Sequence, residues 1–295
     1  MIQPEVACAV GAQLGEGPVW HGPSASLWFT DIQRCQLLCF HPASGKLRRL
    51  DAPAQAGWVW PVDDGSLLAG LQTGLHRVDP ASGRFTLLLA PEPDLPGNRL
   101  NDATVDRFGR LWFGSMDDGE RQASGRFWRL QDGRLHDCGL PPVVISNGPA
   151  VSPDGRTLYV TDTVNRCMQA VAIGDDGRLG PARAFVQLAD GEGWPDGPTV
   201  DSQGAVWIGV WGGSELRRYS PQGELLQRLA LPVAHVTKLA FGDDDLRTAY
   251  VTTARKGLDA QALAAQPLAG HLFRLRLPVA GLPATPLRAA DLPGG

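Results

Sequence analysis

Lysine is nearly absent from this chain: Lys46, Lys238 and Lys256 stand against 24 arginines, and the formal net charge is -4. No basic block is present to follow a phosphate backbone, so nucleic acid is not an expected partner. Cysteine is scarce as well. Cys8, Cys35, Cys39, Cys138 and Cys167 are odd in number and show neither a disulfide framework nor paired metal spacing. The N-terminus lacks the charged-then-apolar order of a secretory leader, so a reduced, cytoplasmic protein is expected. No apolar stretch approaches the roughly 20 residues that span a bilayer, so no membrane partner is expected, and nothing implies a protein partner.

Several catalytic signatures are also missing. The sequence has no Gly-x-Ser-x-Gly elbow, no His-Glu-x-x-His pair and no EF-hand loop, which removes the anchors for serine hydrolase, zincin and calmodulin-like readings. The six histidines, His21, His41, His76, His136, His235 and His271, share no ligand spacing. Structural placement is favoured for all of them, with His235 the one that could approach a channel mouth.

What is present is a repeat. The runs Leu27-Trp-Phe-Thr30, Leu67-Leu-Ala-Gly70, Leu111-Trp-Phe-Gly114, Leu158-Tyr-Val-Thr161, Val206-Trp-Ile-Gly209 and Ala249-Tyr-Val-Thr252 recur along the chain, each preceded by turn chemistry. Short β-branched and aromatic runs bounded by Gly, Pro and Asp read as strands, and four fit each period. The expected fold is all-β: a six-bladed propeller of four-stranded antiparallel blades in one domain, residues 1–295. Blade six has only three strands of its own around a short helix at 258–266. The apolar run 6–10 is therefore expected to supply the outer strand that closes it. The Pro-rich tail, 278–295, is expected to be loose.

Counting back five residues from the turn after each blade's first strand gives Glu16, Trp58, Asn101, Asn147, Asp196 and Thr237. In a propeller these positions ring one mouth of the central channel. Three of them precede Gly-Pro, in Glu16-Gly-Pro, Asn147-Gly-Pro and Asp196-Gly-Pro. Glycine permits a tight turn and proline fixes φ, so the preceding side chain is held in one orientation. Any one such residue alone is an ordinary turn residue; their common register is what argues for a site. Two carboxylates on one rim repel unless a proton or cation lies between them, and a hard divalent ion takes oxygen ligands of these types. One divalent metal ion is the expected cofactor, and an oxygen-only ligand set does not choose among Ca²⁺, Zn²⁺, Mn²⁺, Mg²⁺ and Fe²⁺.

The motifs Leu14-Gly-Glu-Gly-Pro-Val-Trp20, Arg99-Leu-Asn-Asp102, Gly109-Arg-Leu-Trp-Phe-Gly-Ser-Met116, Ser146-Asn-Gly-Pro149, Ser152-Pro-Asp-Gly155 and Pro195-Asp-Gly-Pro198 resemble the regucalcin (senescence marker protein)/gluconolactonase family over residues 14–277. Thr252-Thr-Ala-Arg-Lys256 and Pro267-Leu-Ala-Gly270 are similar to its bacterial sugar lactonases of the xylonolactonase and arabinolactonase type. The resemblance implies that Glu16, Asn147 and Asp196 hold the ion, with Arg99 and Asn101 on the substrate. It also implies that the stretch Asp117-Asp-Gly-Glu120 overhangs the site, making Glu120 a candidate substrate contact. Leu100 stands where the family has Pro or Phe, which bears on pocket shape alone. Trp58 is a candidate to stack on a sugar face; Trp194 and Trp211 flank the pocket or fill the core.

The expected function is metal-dependent hydrolysis of a small-molecule sugar lactone, a pentono- or hexonolactone, to its aldonic acid. Asp196 is the expected general base, because a carboxylate beside the ion can accept the attacking water's proton. The rival readings are a phosphotriesterase or arylesterase on the same propeller, and a non-enzymatic metal- or carbohydrate-binding propeller.

Overall fold

The computed structural model describes residues 2–294. Six four-stranded antiparallel sheets follow one another as blades of a propeller. Blade one runs Gly15–His21, Ser26–Asp31, Gln36–His41 and Lys46–Asp51 from the channel outward. The innermost strands of blades two to six are Ala56–Pro61, Asn98–Val105, Ser146–Val151, Trp194–Val200 and Val236–Gly242. Burial falls outward: Gly15–His21 is buried almost throughout, whereas Lys46–Asp51 exposes all but Leu50 and the half-buried Leu47.

The core lies between blades. Trp207 and Leu216 of blade five pack with Phe241 and Val251 of blade six, while Trp20 and Phe29 of blade one pack with Tyr250. The aromatic that recurs in five of the six second strands thus has a structural cause, and its neighbouring aspartate has another. Asp106 and Asp201 each accept backbone N–H groups of their own turn and an indole N–H, from Trp112 and Trp207, both at 2.9 Å. One carboxylate therefore fixes the hairpin and satisfies a buried donor.

The N-terminal strand Glu5–Cys8 pairs with Leu272–Arg276, with Val6 opposite Phe273, and becomes the outer strand of blade six. This closes the ring between chain ends and removes a free edge. The short helix is Ala260–Ala265, its first turn capped by Asp259, which accepts the Ala262 N–H at 2.8 Å. Among the described residues no helix is long and apolar enough to cross a membrane, and all five cysteines are free.

The C-terminal segment departs from expectation. Far from loose, it crosses the face opposite the candidate site: Ala280 accepts from Ser202, Leu287 exchanges backbone hydrogen bonds with Pro61 and Asp63, and Asp291 accepts from Gly133. Val279, Leu287 and Leu292 are buried, and Trp60 donates its indole N–H to the Thr285 carbonyl. Prolines exclude a sheet but not a strap whose apolar side chains seal the propeller's underside.

Each innermost strand carries a β-bulge. In blades one, four and five it follows Glu16, Asn147 and Asp196 directly, over the Gly-Pro dipeptides. Gly17, Gly148 and Gly197 all have positive φ and press on the following blade; a Cβ at Gly197 would come within 2.4 Å of Lys238 Cβ. Glycine is required there both for conformation and for blade-to-blade approach.

Candidate active site and metal centre

The bulges re-aim the residues before them into one mouth of the channel. Glu16, Asn101, Asn147 and Asp196 all line a cavity of about 450 Å³ there, joined by Arg99 and Glu120. All but Glu120 are at least nine-tenths buried. Four of the six ring positions therefore converge as the repeat predicts.

The other two do not. Thr237 ties blade six to blade one, donating its hydroxyl to the Gly15 carbonyl at 2.7 Å. Trp58 does not line the cavity; it is 1% exposed, lies over Gly70 and tilts against Phe113 at 6.0 Å in the core between blades two and three. Its blade carries the bulge between Ala56 and Trp58, earlier in the strand than the others. Counting back from the turn therefore misses the slip, and a one-residue slip sends a side chain to the other face.

A chain of donors fixes the carboxamides. Thr163 donates its hydroxyl to the Pro195 carbonyl at 3.0 Å and so accepts from Asn147 Nδ2 at 2.9 Å. That leaves Asn147 Oδ1 facing the site, where Asn101 Nδ2 approaches it at 3.2 Å. Asn101 is held from the other side as well: Arg99 Nη1 donates to its Oδ1 at 2.6 Å, and its Nδ2 donates to the Ser146 carbonyl at 2.5 Å. Arg99 Nε in turn donates to Asp118 at 2.9 Å, and Gln55 holds the other oxygen of Asp118 at 2.9 Å. Above these, Glu120 pairs with Lys256 at the cavity rim, joining blade three to blade six. The rest of the lining is largely apolar and aromatic: Leu14 of blade one, Ile145 and Val164 of blade four, and Trp194 and Trp211 together on blade five. Trp211 stacks on His235 at 4.0 Å, and the Arg166 guanidinium lies 5.0 Å from the centroid of Trp194.

Electrostatics sets Glu16 and Asp196 apart from the surface carboxylates. Burial, then the charge of Asp102, pushes the Asp196 carboxyl up to about 8, against opposing help from the Gly197 N–H, Lys238 and Arg99. Glu16 rises well above the ordinary range through burial and the charges of Asp196 and Asp102. Asp196 Oδ1 is buried with no hydrogen-bond partner. Two buried carboxyls that resist ionisation, one with an orphaned oxygen, and a carboxamide oxygen turned inward fit a hard divalent cation. Among the described residues no three His, Cys, Asp or Glu side chains cluster in this way; this set draws its third member from an amide.

The sequence reading assigns no role to Lys238 and Asp102, which pair beneath the site at 2.5 Å, nor to Thr163; Asp102, Asp118 and Lys256 lie in the noted motifs or in the overhanging stretch, with no role of their own assigned there. Lys238 and Thr163 carry no repeated motif. Lys238 and Lys256 are nonetheless two of the chain's three lysines, and that rarity was the available signal.

A six-bladed propeller with this carboxylate and carboxamide mouth defines a class, and the comparisons give it a family. The SMP-30/Gluconolactonase/LRE-like region matches residues 14–255, and the chain belongs to that family. It is similar to an L-arabinolactonase of Azospirillum brasilense, 37% identical over 273 residues covering 91% of this chain and 90% of that protein. A 6-deoxy-6-sulfogluconolactonase of Pseudomonas putida is 34% identical over 270 residues, covering 91% and 92%. Among solved structures, a calcium-binding protein, regucalcin, from Agrobacterium tumefaciens superposes with a TM-score of 0.93 at 30% identity, covering 97% of each chain.

Proposed function

We propose that this chain is a divalent-metal-dependent lactonase that opens a sugar lactone to the aldonic acid. The observation that carries the reading is the partnerless Asp196 Oδ1, buried with Glu16 and the oriented Asn147 oxygen under a cavity lined by hydrogen-bonding groups. Relatives named as L-arabinolactonase and 6-deoxy-6-sulfogluconolactonase support the substrate class, and a neighbour titled calcium-binding supports the cation.

Glu16, Asn147 and Asp196 would hold the ion. When bound, it supplies Lewis-acid polarisation of the lactone carbonyl and lowers the pKa of a water. Asp196, ionised in that state, accepts the proton of the water that adds to the carbonyl. The ring C–O bond then breaks, the departing alkoxide takes that proton back, and the product is a hydroxy acid. Arg99 and Asn101 donate to substrate oxygens; Asp118 holds Arg99 Nε, so its guanidinium fork is presented in one orientation. Trp194 and Trp211 offer the sugar's C–H face an aromatic wall.

That aromatic wall also favours a second reading, an arylesterase on the same propeller. Proton release from a panel of aldonolactones, aliphatic lactones and aryl esters, with and without chelator and added cations, separates the two. Metal-dependent turnover confined to aryl esters would overturn the sugar reading, and no turnover of any of them would leave a binding propeller.

A further inference from the structure

Beneath the cation-binding side chains, Lys238 Nζ donates to Asp102 Oδ1 at 2.5 Å, and both residues are more than nine-tenths buried. Asp102 belongs to blade three and Lys238 to blade six, so the pair spans the channel between facing blades. Each partner also touches a bulge that carries a site residue. Asp102 Oδ2 accepts the Gly148 N–H at 3.0 Å, immediately after Asn147. The Lys238 stem lies on Gly197, immediately after Asp196, so closely that no Cβ fits there.

We infer that Asp102 and Lys238 form a strut across the channel that presets Asn147 and Asp196 for the cation. The inference rests on the reading of Glu16, Asn147 and Asp196 as the cation-binding set. These are positioning residues: Lys238 lines a separate cavity of about 270 Å³ on the far side of the pair, and neither residue lines the substrate cavity.

Two arguments support a role beyond folding. A buried ion pair is a poor source of stability, since apolar side chains of equal volume commonly serve as well. This one also meets an electrical requirement. A lone ammonium below the site would repel the incoming cation, and a lone third carboxylate would compete with Glu16 and Asp196 for it. As a pair they add almost no net charge while holding two backbones. Partners of this kind, hydrogen-bonded behind a ligand set, typically alter metal affinity by about 10–100-fold when removed.

The test measures Mn²⁺ and Ca²⁺ binding by calorimetry on chelator-stripped full-length protein, with circular dichroism to verify folding. Asp102→Ala is expected to weaken the dissociation constant at least about tenfold. Asp102→Asn, which keeps an acceptor for the Gly148 N–H, should recover part of the loss, and Lys238→Met should fall between them. Folded Asp102→Ala and Lys238→Met proteins that bind within twofold of the parent would overturn the strut, leaving the pair a folding element. If Asp102→Ala does not fold, Asp102→Asn decides: weakened binding supports the strut and parental binding sinks it. A parent protein that binds neither ion overturns the cation reading, and the strut with it, which is a different result from a parent that binds and variants that match it.

Discussion

Arg99 Nε and Asp118 Oδ1 meet at 2.9 Å, and this contact sets the direction of the whole guanidinium. With Nε and Nη1 engaged, no acceptor among the described residues bonds Nη2. Arg99 lines the cavity from a nearly buried position, which leaves Nη2 as donor capacity for the proposed substrate.

Arg99→Ala should therefore reduce kcat/KM for polyhydroxylated lactones at least about tenfold more than for a plain aliphatic lactone, which offers fewer acceptors. Parallel kinetics on both substrates check this. Equal losses would assign Arg99 to holding Asn101 and remove its sugar-reading role.

Asp196→Asn should lower turnover by at least about 10²-fold, because the variant cannot take the proton from water. Glu16→Gln should lower the metal content of purified protein as well as activity, read by elemental analysis and rate together. Full activity in a folded Asp196→Asn protein would place the base elsewhere.

The raised carboxyls make a prediction about pH. Asp196 moves from an ordinary 3.8 to about 8 on folding, and Glu16 moves in the same direction. An acid whose pKa rises on folding lends stability that is complete below its unfolded value and is lost as pH climbs to the folded one. Chelator-treated protein should melt at falling temperature as pH rises from about 5 to about 8, and saturating divalent cation should flatten that fall. A metal-free melting temperature that rises over the same interval would contradict the burial argument.

Trp194 is 38% exposed at the cavity rim and is braced by Arg166. Trp194→Ala should raise KM for the sugar lactone about 3–10-fold with kcat held, and Trp194→Phe should restore most of it. A fall in kcat with unchanged KM would show that the indole acts on the site's shape instead.

The repeat made the fold readable because each blade must solve the same problem: an aromatic between sheets, and an aspartate or serine at the turn. Glu16, Asn147 and Asp196 were readable for a related reason, since the bulge each precedes is built on the same Gly-Pro. Trp58 was misplaced because blade two puts its bulge elsewhere, and position counted from a turn carries no record of that. Lys238 and Asp118 kept their roles hidden for the opposite reason, although Asp118 lies in the stretch read as overhanging the site. They act across the ring or through another side chain, and no local pattern announces a partner 136 or 19 residues away. The tail was misjudged from its prolines, which say that no sheet forms but not whether Leu287 and Leu292 find cover.

Removing residues 1–10 should lower the melting temperature by about 5 °C or more, since blade six loses its outer strand and exposes an edge. Thermal unfolding of the truncated chain checks this; an unchanged midpoint would mean that the ring holds without that closure.

The C-terminal strap gives the ring a second fastening, and the two act on different planes. The N-terminal strand joins last blade to first like the clasp of a bracelet, while the strap laces blades five, two and three from below. Releasing the clasp alone leaves the lacing in place, and cutting the lacing leaves the clasp shut. Blades so bound cannot peel away one at a time from either chain end, and their loss is expected to come as one collective event.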